Sequence, residues 1–464
     1  MTVDALVSDI PLAVPTVPPG PRGMPLLGIA PHIKRDPLGY FARIAAEYDG
    51  VATLPIGGEK VLLMNSPAAI EHVFQSNWRN YRKSDFYDKL RPMLGNGIAT
   101  SEGDFWRRQR QVTNPAFHRK SLVRMGEIMR ERTRDMIDSW AGRTGGETFD
   151  LSDDLTALTL RIVVESLFGS DISGKDDGTR TDTIAHSVDT MLQICERRVW
   201  AVPDLHGTPL SPLYWRHRAA RAALDRIVYD IIAERRRTGE ACFDLLGMLL
   251  EARDGDTGEG MSDEQLLDET TTLLVTGHES TANAAMWIFH VLSRYPEIER
   301  RVREEVASVC GDATPDDMQL RELSYLRMVI EEVLRVYPPA WTTSRTALAD
   351  DNILDYPVAA GTSVMISPYV MHCNPRYWPE PEVFDPLRHT PEMKESRPKN
   401  AYIPFGGGPR NCIGANFAMM ELQLVVAMVL QRFRVNVVEG DKIEREAMVS
   451  IRPKGGINVT IAAA

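Results

Sequence analysis

The sequence predicts a mainly α-helical fold with small peripheral β-sheets, and three observations carry that expectation. From about Asp104 to Tyr337 apolar residues recur at helical spacing, punctuated by glycine and proline. Outside that span only short β-rich runs occur, at Val51 to Asn65, Asn352 to Leu354, Ser363 to Ser367 and Asn458 to Ile461. No repeat, low-complexity tract or linker interrupts the chain. Residues 18–464 are therefore expected to form one domain behind a flexible arm, residues 1–17.

Composition narrows the class of function. The formal net charge is −11 with no basic stripe or arm, which excludes nucleic acid as the natural partner. The five cysteines (Cys195, Cys242, Cys310, Cys373 and Cys412) are scattered, with no CxxC pair. That argues against a disulfide framework or a zinc site and fits a reducing compartment, so a cytoplasmic location is expected. In the opening MTVDALVSDIPLAVPTV, Asp4 and Asp9 interrupt the apolar run and Pro11 and Pro15 break any helix. Neither a signal peptide nor a membrane anchor reads this way.

The elements follow in order. A stiff lead-in, PPGPRGMPLLG (Pro18 to Gly28), precedes a hairpin from Val51 to Asn65 turning at Gly57-Gly58. Within the helical region, Val202 to Trp215 carries three prolines and a glycine, so it is read as a loop between two long helices. The next long helix opens on a capping box, Ser262 with Gln265 three residues on, and Met261 and Leu266 sit where a hydrophobic staple would. It should run to about Ser293, before Tyr295-Pro296 stops it.

The middle of that helix reads LLVTGHESTANAAM, Leu273 to Met286. A glycine there costs about 1 kcal/mol relative to alanine, and a buried glutamate is costly too. One reading is a helix crossing at Gly277. The other is a functional site, where local propensity is expected to fail. Ser and Thr hydroxyls bonded to the carbonyl four residues back bend such helices, and a free hydroxyl beside a carboxylate suits proton delivery.

Four motifs then stand together. The loop FGGGPRNCIG (Phe405 to Gly414) holds three consecutive glycines, an arginine, Cys412 and a fourth glycine. EEVLR places Glu332 and Arg335 on one helical face. FDPLRH contributes Arg388, and WRRQR contributes Trp106 and Arg110. This set resembles the cytochrome P450 monooxygenases, whose pattern F-x-x-G-x-R-x-C-x-G is met at Phe405, Gly408, Arg410, Cys412 and Gly414. The resemblance covers the chain from the proline-rich lead-in to RPKGGINVTI.

The resemblance implies a haem b cofactor (iron protoporphyrin IX) with Cys412 as the thiolate metal ligand, which favours O–O cleavage. Phe405, Gly406 and Gly414 belong to the ligand loop, whose glycines let the backbone pass close to the porphyrin. Arg110, Arg345 and Arg410 are the expected propionate partners, with Trp106 donating through its indole N–H. Glu332, Arg335 and Arg388 form a buried structural network. Ser280 is expected to orient the water chain that delivers protons, with Glu279 as the source. Thr281 is the rival hydroxyl, expected to point away because one residue turns the helix by ~100°. Two departures stand out: Ser280 replaces the family's usual threonine, and LRH (Leu387 to His389) replaces its more usual glutamate, arginine and phenylalanine.

By the same resemblance Thr276, Gly277, Ala340, Trp341, Thr342, Met448 and Val449 should line a substrate pocket, under a lid formed by Ser84 to Ile98 and Val202 to Trp215. For Phe86, Tyr87 and Met93 a place in the lid and a place in the core are open alternatives. The expected reaction inserts one atom of dioxygen into a medium-sized hydrophobic molecule: a fatty acid, terpenoid, steroid or macrolide-like product. No flavin or iron–sulfur segment follows, so electrons are expected from a separate ferredoxin or flavodoxin with its reductase. Arg107, Arg108, Arg119 and Lys120 could greet such an acidic donor. A peroxide-driven peroxygenase, an isomerase or dehydratase on the same haem, and a haem sensor or carrier are the competing readings.

Overall fold

The computed structural model describes residues 17–169, 179–199, 205–238, 244–255, 258–438, 440 and 442–464. Residues 1–16 of the arm and residues 202–204 of the proline-rich loop lie outside them.

The fold is organised around one helix, Asp263–Arg294, of 32 residues, roughly 48 Å long at 1.5 Å per residue. Its start is built as the sequence requires. Ser262 Oγ accepts from the Gln265 N–H at 3.2 Å, and Gln265 Oε1 accepts from the Ser262 N–H at 2.8 Å. Leu266 is buried and Met261 packs beside the core, completing the staple. The helix ends at Arg294, with Tyr295 as cap before Pro296. The helix Leu151–Phe168 lies along it, and a Cβ on Gly277 would come within 3.1 Å of Val163 Cγ2. Gly277 is thus a helix-crossing residue, as one of the two readings required.

The helices Ser324–Val336 and Ala415–Arg432 pack against this axis, Arg119–Ser139 packs on Ala415–Arg432 and Leu151–Phe168, and Gly103–Thr113 lies beyond them. The β structure is peripheral. The hairpin pairs Gly50–Ile56 with Glu59–Asn65, with Gly57 and Gly58 both at positive φ in the turn, a conformation that suits glycine. The five-stranded sheet runs in spatial order Gly50–Ile56, Glu59–Asn65, Ser363–Ile366, Thr343–Ala347, Tyr81–Lys83. Its last pair sets Arg345 opposite Lys83.

The proline-rich loop ends earlier than its composition suggests. Pro212 opens the helix Pro212–Thr238, so Trp215 is helical; proline is well tolerated in a first helical turn, where the backbone N–H has no partner anyway. Ser84 to Ile98 is not plain loop either, since it contains the helical turns Asp85–Lys89 and Arg91–Leu94. Among the described residues no helix is long and apolar enough to cross a membrane.

Candidate active site

A cavity of about 400 Å³ lies between the long helix and the loop Phe405–Gly414. The loop is closed by the Cys412 N–H donating to the Phe405 carbonyl at 2.8 Å. Helix Ala415–Arg432 starts three residues after the cysteine. Cys412 faces the cavity. Burial pushes its thiol up, while the Gly414 backbone N–H and the Arg110 charge pull the other way.

The glycines divide into two roles. Gly408 has φ +65°, and a Cβ there would stand 1.8 Å from the Phe74 carbonyl oxygen. At Gly407 it would meet the Phe74 ring at 2.9 Å. Gly408 therefore makes room for the wide turn His72–Ser76 and not, as the sequence suggested, for a cofactor, whereas Gly407 both admits the Phe74 ring and lines the cavity. Gly406 and Gly414 line the cavity, and a Cβ on either would meet nothing within 4 Å.

Four cations converge on the cavity wall: Lys83, Arg110, Arg345 and Arg410. Arg410 lies over the rings of Trp78 and Trp106, 5.2 and 5.0 Å from their centres, and donates to Glu102 Oε2 at 2.7 Å. Its Nε is buried without a partner. Arg345 donates to Thr343 Oγ1 at 2.9 Å and to the Ser344 carbonyl at 2.8 Å. Arg110 donates to the Asn411 carbonyl and side-chain oxygen, both at 2.9 Å, and so ties its helix to the cysteine loop. Lys83, which the sequence reading missed, donates to the carbonyls of Ile98 and Ser101 at 2.9 and 2.7 Å. Burial lowers its pKa to about 7. Only the strand pairing with Arg345 could have signalled it. A cysteine facing open space, a glycine cradle and unspent donors on several cations fit a flat, dianionic, iron-bearing cofactor.

On the opposite wall the hydroxyls of Thr276, Ser280 and Thr281 donate to the carbonyls four residues back, at 2.8, 2.9 and 3.0 Å. All three residues, with Gly277, line the cavity. The expectation that Thr281 turns away is therefore corrected: the cavity spans both faces one residue apart. Glu279 is not in the wall; its carboxylate accepts from Ser450 Oγ at 2.6 Å.

Ala340 and Thr342 line the cavity as expected, but Trp341, Met448 and Val449 do not. The Trp341 side chain turns away and donates from Nε1 to the Met448 carbonyl at 3.0 Å, which holds the final turn against it. Of the lid candidates, Tyr87 and Ile98 reach the cavity. Phe86 is exposed and Met93 is core. None of residues 205–215 contributes.

The structural network differs from its expected form. Arg335 Nε and Nη2 donate to the two Glu332 oxygens, both at 2.8 Å, with both side chains fully buried. The third hydrogen-bonding partner is His389, whose Nε2 stands 2.9 Å from Glu332 Oε2. Arg388 keeps its expected place as an ion-pair partner, with Nε 3.7 Å from Glu332 Oε1, but that Nε makes no hydrogen bond. Burial pushes Glu332 up, but hydrogen bonds from His389 and Arg335 outweigh it and hold the carboxyl below its usual range.

The family model described as Cytochrome P450 matches residues 18–460. A cyclooctat-9-en-7-ol 5-monooxygenase from Streptomyces melanosporofaciens is 34% identical over 420 residues, 90% of each chain. A cyclooctatin synthase from the same organism is 32% identical, covering 94% of this chain and 93% of its own. The crystal structure of a cytochrome P450DA heme domain superposes with a TM-score of 0.86 at 25% identity, over 96% of this chain and 97% of that one. The chain belongs to the cytochrome P450 family. It is a monooxygenase, and its family implies a haem cofactor.

Proposed function

We propose that this chain is a haem b monooxygenase that hydroxylates a terpenoid-sized hydrophobic substrate, with electrons from a separate ferredoxin or flavodoxin and its reductase. The observation that carries the reading is the cavity itself: apolar over most of its surface, with Cys412 on one side and helix hydroxyls on the other. Terpenoids are favoured among hydrophobic classes because two relatives alike over nearly the whole chain are a cyclooctat-9-en-7-ol 5-monooxygenase and a cyclooctatin synthase.

When bound, the haem supplies dioxygen activation, with electron density from its cysteine thiolate. Cys412 would hold the iron, and Arg345, Arg410 and Lys83 would neutralise the propionates. The backbone N–H of Gly414 stabilises the sulfur's charge. Ser280 and Thr281 both present oxygen to the cavity at the middle of the long helix, where either can order water. Glu279 supplies protons to that water. Val163, Leu273, Ala284 and Leu334 exclude bulk solvent and hold an apolar skeleton. The exposed Arg107, Arg108, Arg119 and Lys120 present positive charge to an acidic donor; Arg107 also pairs with Asp104 at 3.0 Å.

The test is an optical titration of the purified ferric holoenzyme against terpenoids, fatty acids, steroids and macrolides. A saturable low- to high-spin shift confined to terpenoids is expected. A shift confined to another class would overturn the substrate assignment.

A further inference from the structure

The acid of the long helix is held by a part of the chain remote from the cavity. Glu279, Asn283 and Trp287 recur every four residues and so share one face of the helix. All three reach the C-terminal hairpin formed by Arg445–Ala447 and Ile451–Pro453. Asn283 Nδ2 donates to Ser450 Oγ at 2.8 Å, Ser450 Oγ donates to Glu279 Oε1 at 2.6 Å, and Trp287 Nε1 donates to the Ile451 carbonyl at 3.3 Å. Ser450 and Asn283 are both buried. The hydroxyl of Ser450 has one proton to give, and Asn283 occupies its acceptor side, so that proton is committed to Glu279.

Behind Ser450 lies a cluster that opens to solvent. Arg452 donates to Glu196 Oε1 at 3.0 Å and to Glu446 Oε2 at 2.9 Å. Glu196 is buried while Arg452 and Glu446 are about one-third exposed, their side chains at 36% and 33%. The charge of Glu279 is felt by both Glu196 and Arg452. The carboxylate thus faces a route to solvent on one side of the helix, while the hydroxyls it must serve face the cavity on the other.

We propose that Ser450 is a positioning residue for proton supply. It parks the Glu279 carboxylate beside the Glu196–Arg452–Glu446 cluster, where it takes up a proton from solvent, and the side chain then swings past the helix to give that proton to water in the cavity. The proton is the only species moved, and Glu279 returns to Ser450 as the carboxylate. The inference rests on Glu279 being the proton source.

The test uses holoenzyme with a surrogate ferredoxin and reductase in air, without substrate, reading the share of electrons recovered as peroxide. In parallel, infrared spectroscopy reads the Glu279 carboxylate stretch, identified as the band missing in E279Q. Replacing Ser450→Ala should shift that band and raise the peroxide share several-fold, while Ser450→Thr, which keeps the hydroxyl, restores both. Asn283→Ala should act in the same direction and serves if the alanine turn fails to fold. If E279Q raises peroxide but S450A and N283A leave both readouts at wild type, Ser450 does not position the acid and the inference fails. If E279Q leaves the peroxide share unchanged, the prior reading of Glu279 is what fails.

Discussion

Replacing His389 should destabilise the protein more than replacing Arg388, although a sequence pattern favours the arginine. Glu332 accepts from Arg335 twice at 2.8 Å, from the Asp385 N–H at 3.0 Å and from His389 Nε2 at 2.9 Å, all out of solvent. His389→Phe keeps an aromatic ring against Trp378 and Tyr402 but removes one donor from a fully buried carboxylate. A hydrogen bond to a charged group is worth about 1.5–3 kcal/mol, so the folding equilibrium constant should fall by one to two powers of ten. Arg388→Leu removes an arginine 3.7 Å from Glu332, too far for a hydrogen bond, and one bond to the Glu380 carbonyl at 3.1 Å. That change should cost about 1 kcal/mol. Urea midpoints of the haem-loaded variants, followed by cofactor absorbance, give the order. An R388L variant less stable than H389F would refute the assignment of His389 as the third partner.

Four further outcomes are expected. Gly408→Ala should destabilise the protein even without haem, because its Cβ would meet the Phe74 carbonyl at 1.8 Å, whereas Gly414→Ala should leave apo-protein stability unchanged and weaken haem binding; equal denaturation midpoints for the two would contradict this. Burial raises Glu269 to about 7, above its unfolded value. Folding therefore takes up a proton, and its contribution falls as pH rises from about 4.5 to 7. At about 1.4 kcal/mol per unit, Glu269→Gln should gain a few kcal/mol relative to wild type between pH 5 and pH 8, and parallel stability curves would refute that. Ser280→Ala should increase peroxide leakage relative to product; unchanged coupling there, with loss in Thr281→Ala, would assign the relay to Thr281. Reversing charge at Arg107 and Arg108 should slow electron transfer at low salt and flatten its salt dependence, and a variant matching wild type in both respects would exclude that docking face.

The long helix was legible to within a residue because its boundaries are local: a capping box at one end and Tyr295-Pro296 at the other. The cysteine loop was legible as a motif, yet the reason for Gly407 and Gly408 was not, since Phe74 approaches from over 300 residues away in sequence. His389, Lys83 and Ser450 were missed for the same physical cause. Each acquires its role from a distant partner: Glu332 across 57 residues, Arg345 through strand register, Glu279 across 171 residues. The resemblance places Trp341 in the pocket, but its indole N–H bonds to the Met448 carbonyl in the final turn, which holds the buried ring away from the cavity.

The most direct measurement is the absorption spectrum of the reduced carbonyl complex, taken on wild type and on Cys412→Ser prepared side by side. Thiolate ligation by Cys412 requires the red-shifted Soret band of a sulfur-ligated haem in wild type and its loss in the variant. A C412S protein that kept that band, or a wild type that never showed it, would contradict Cys412 as the iron ligand.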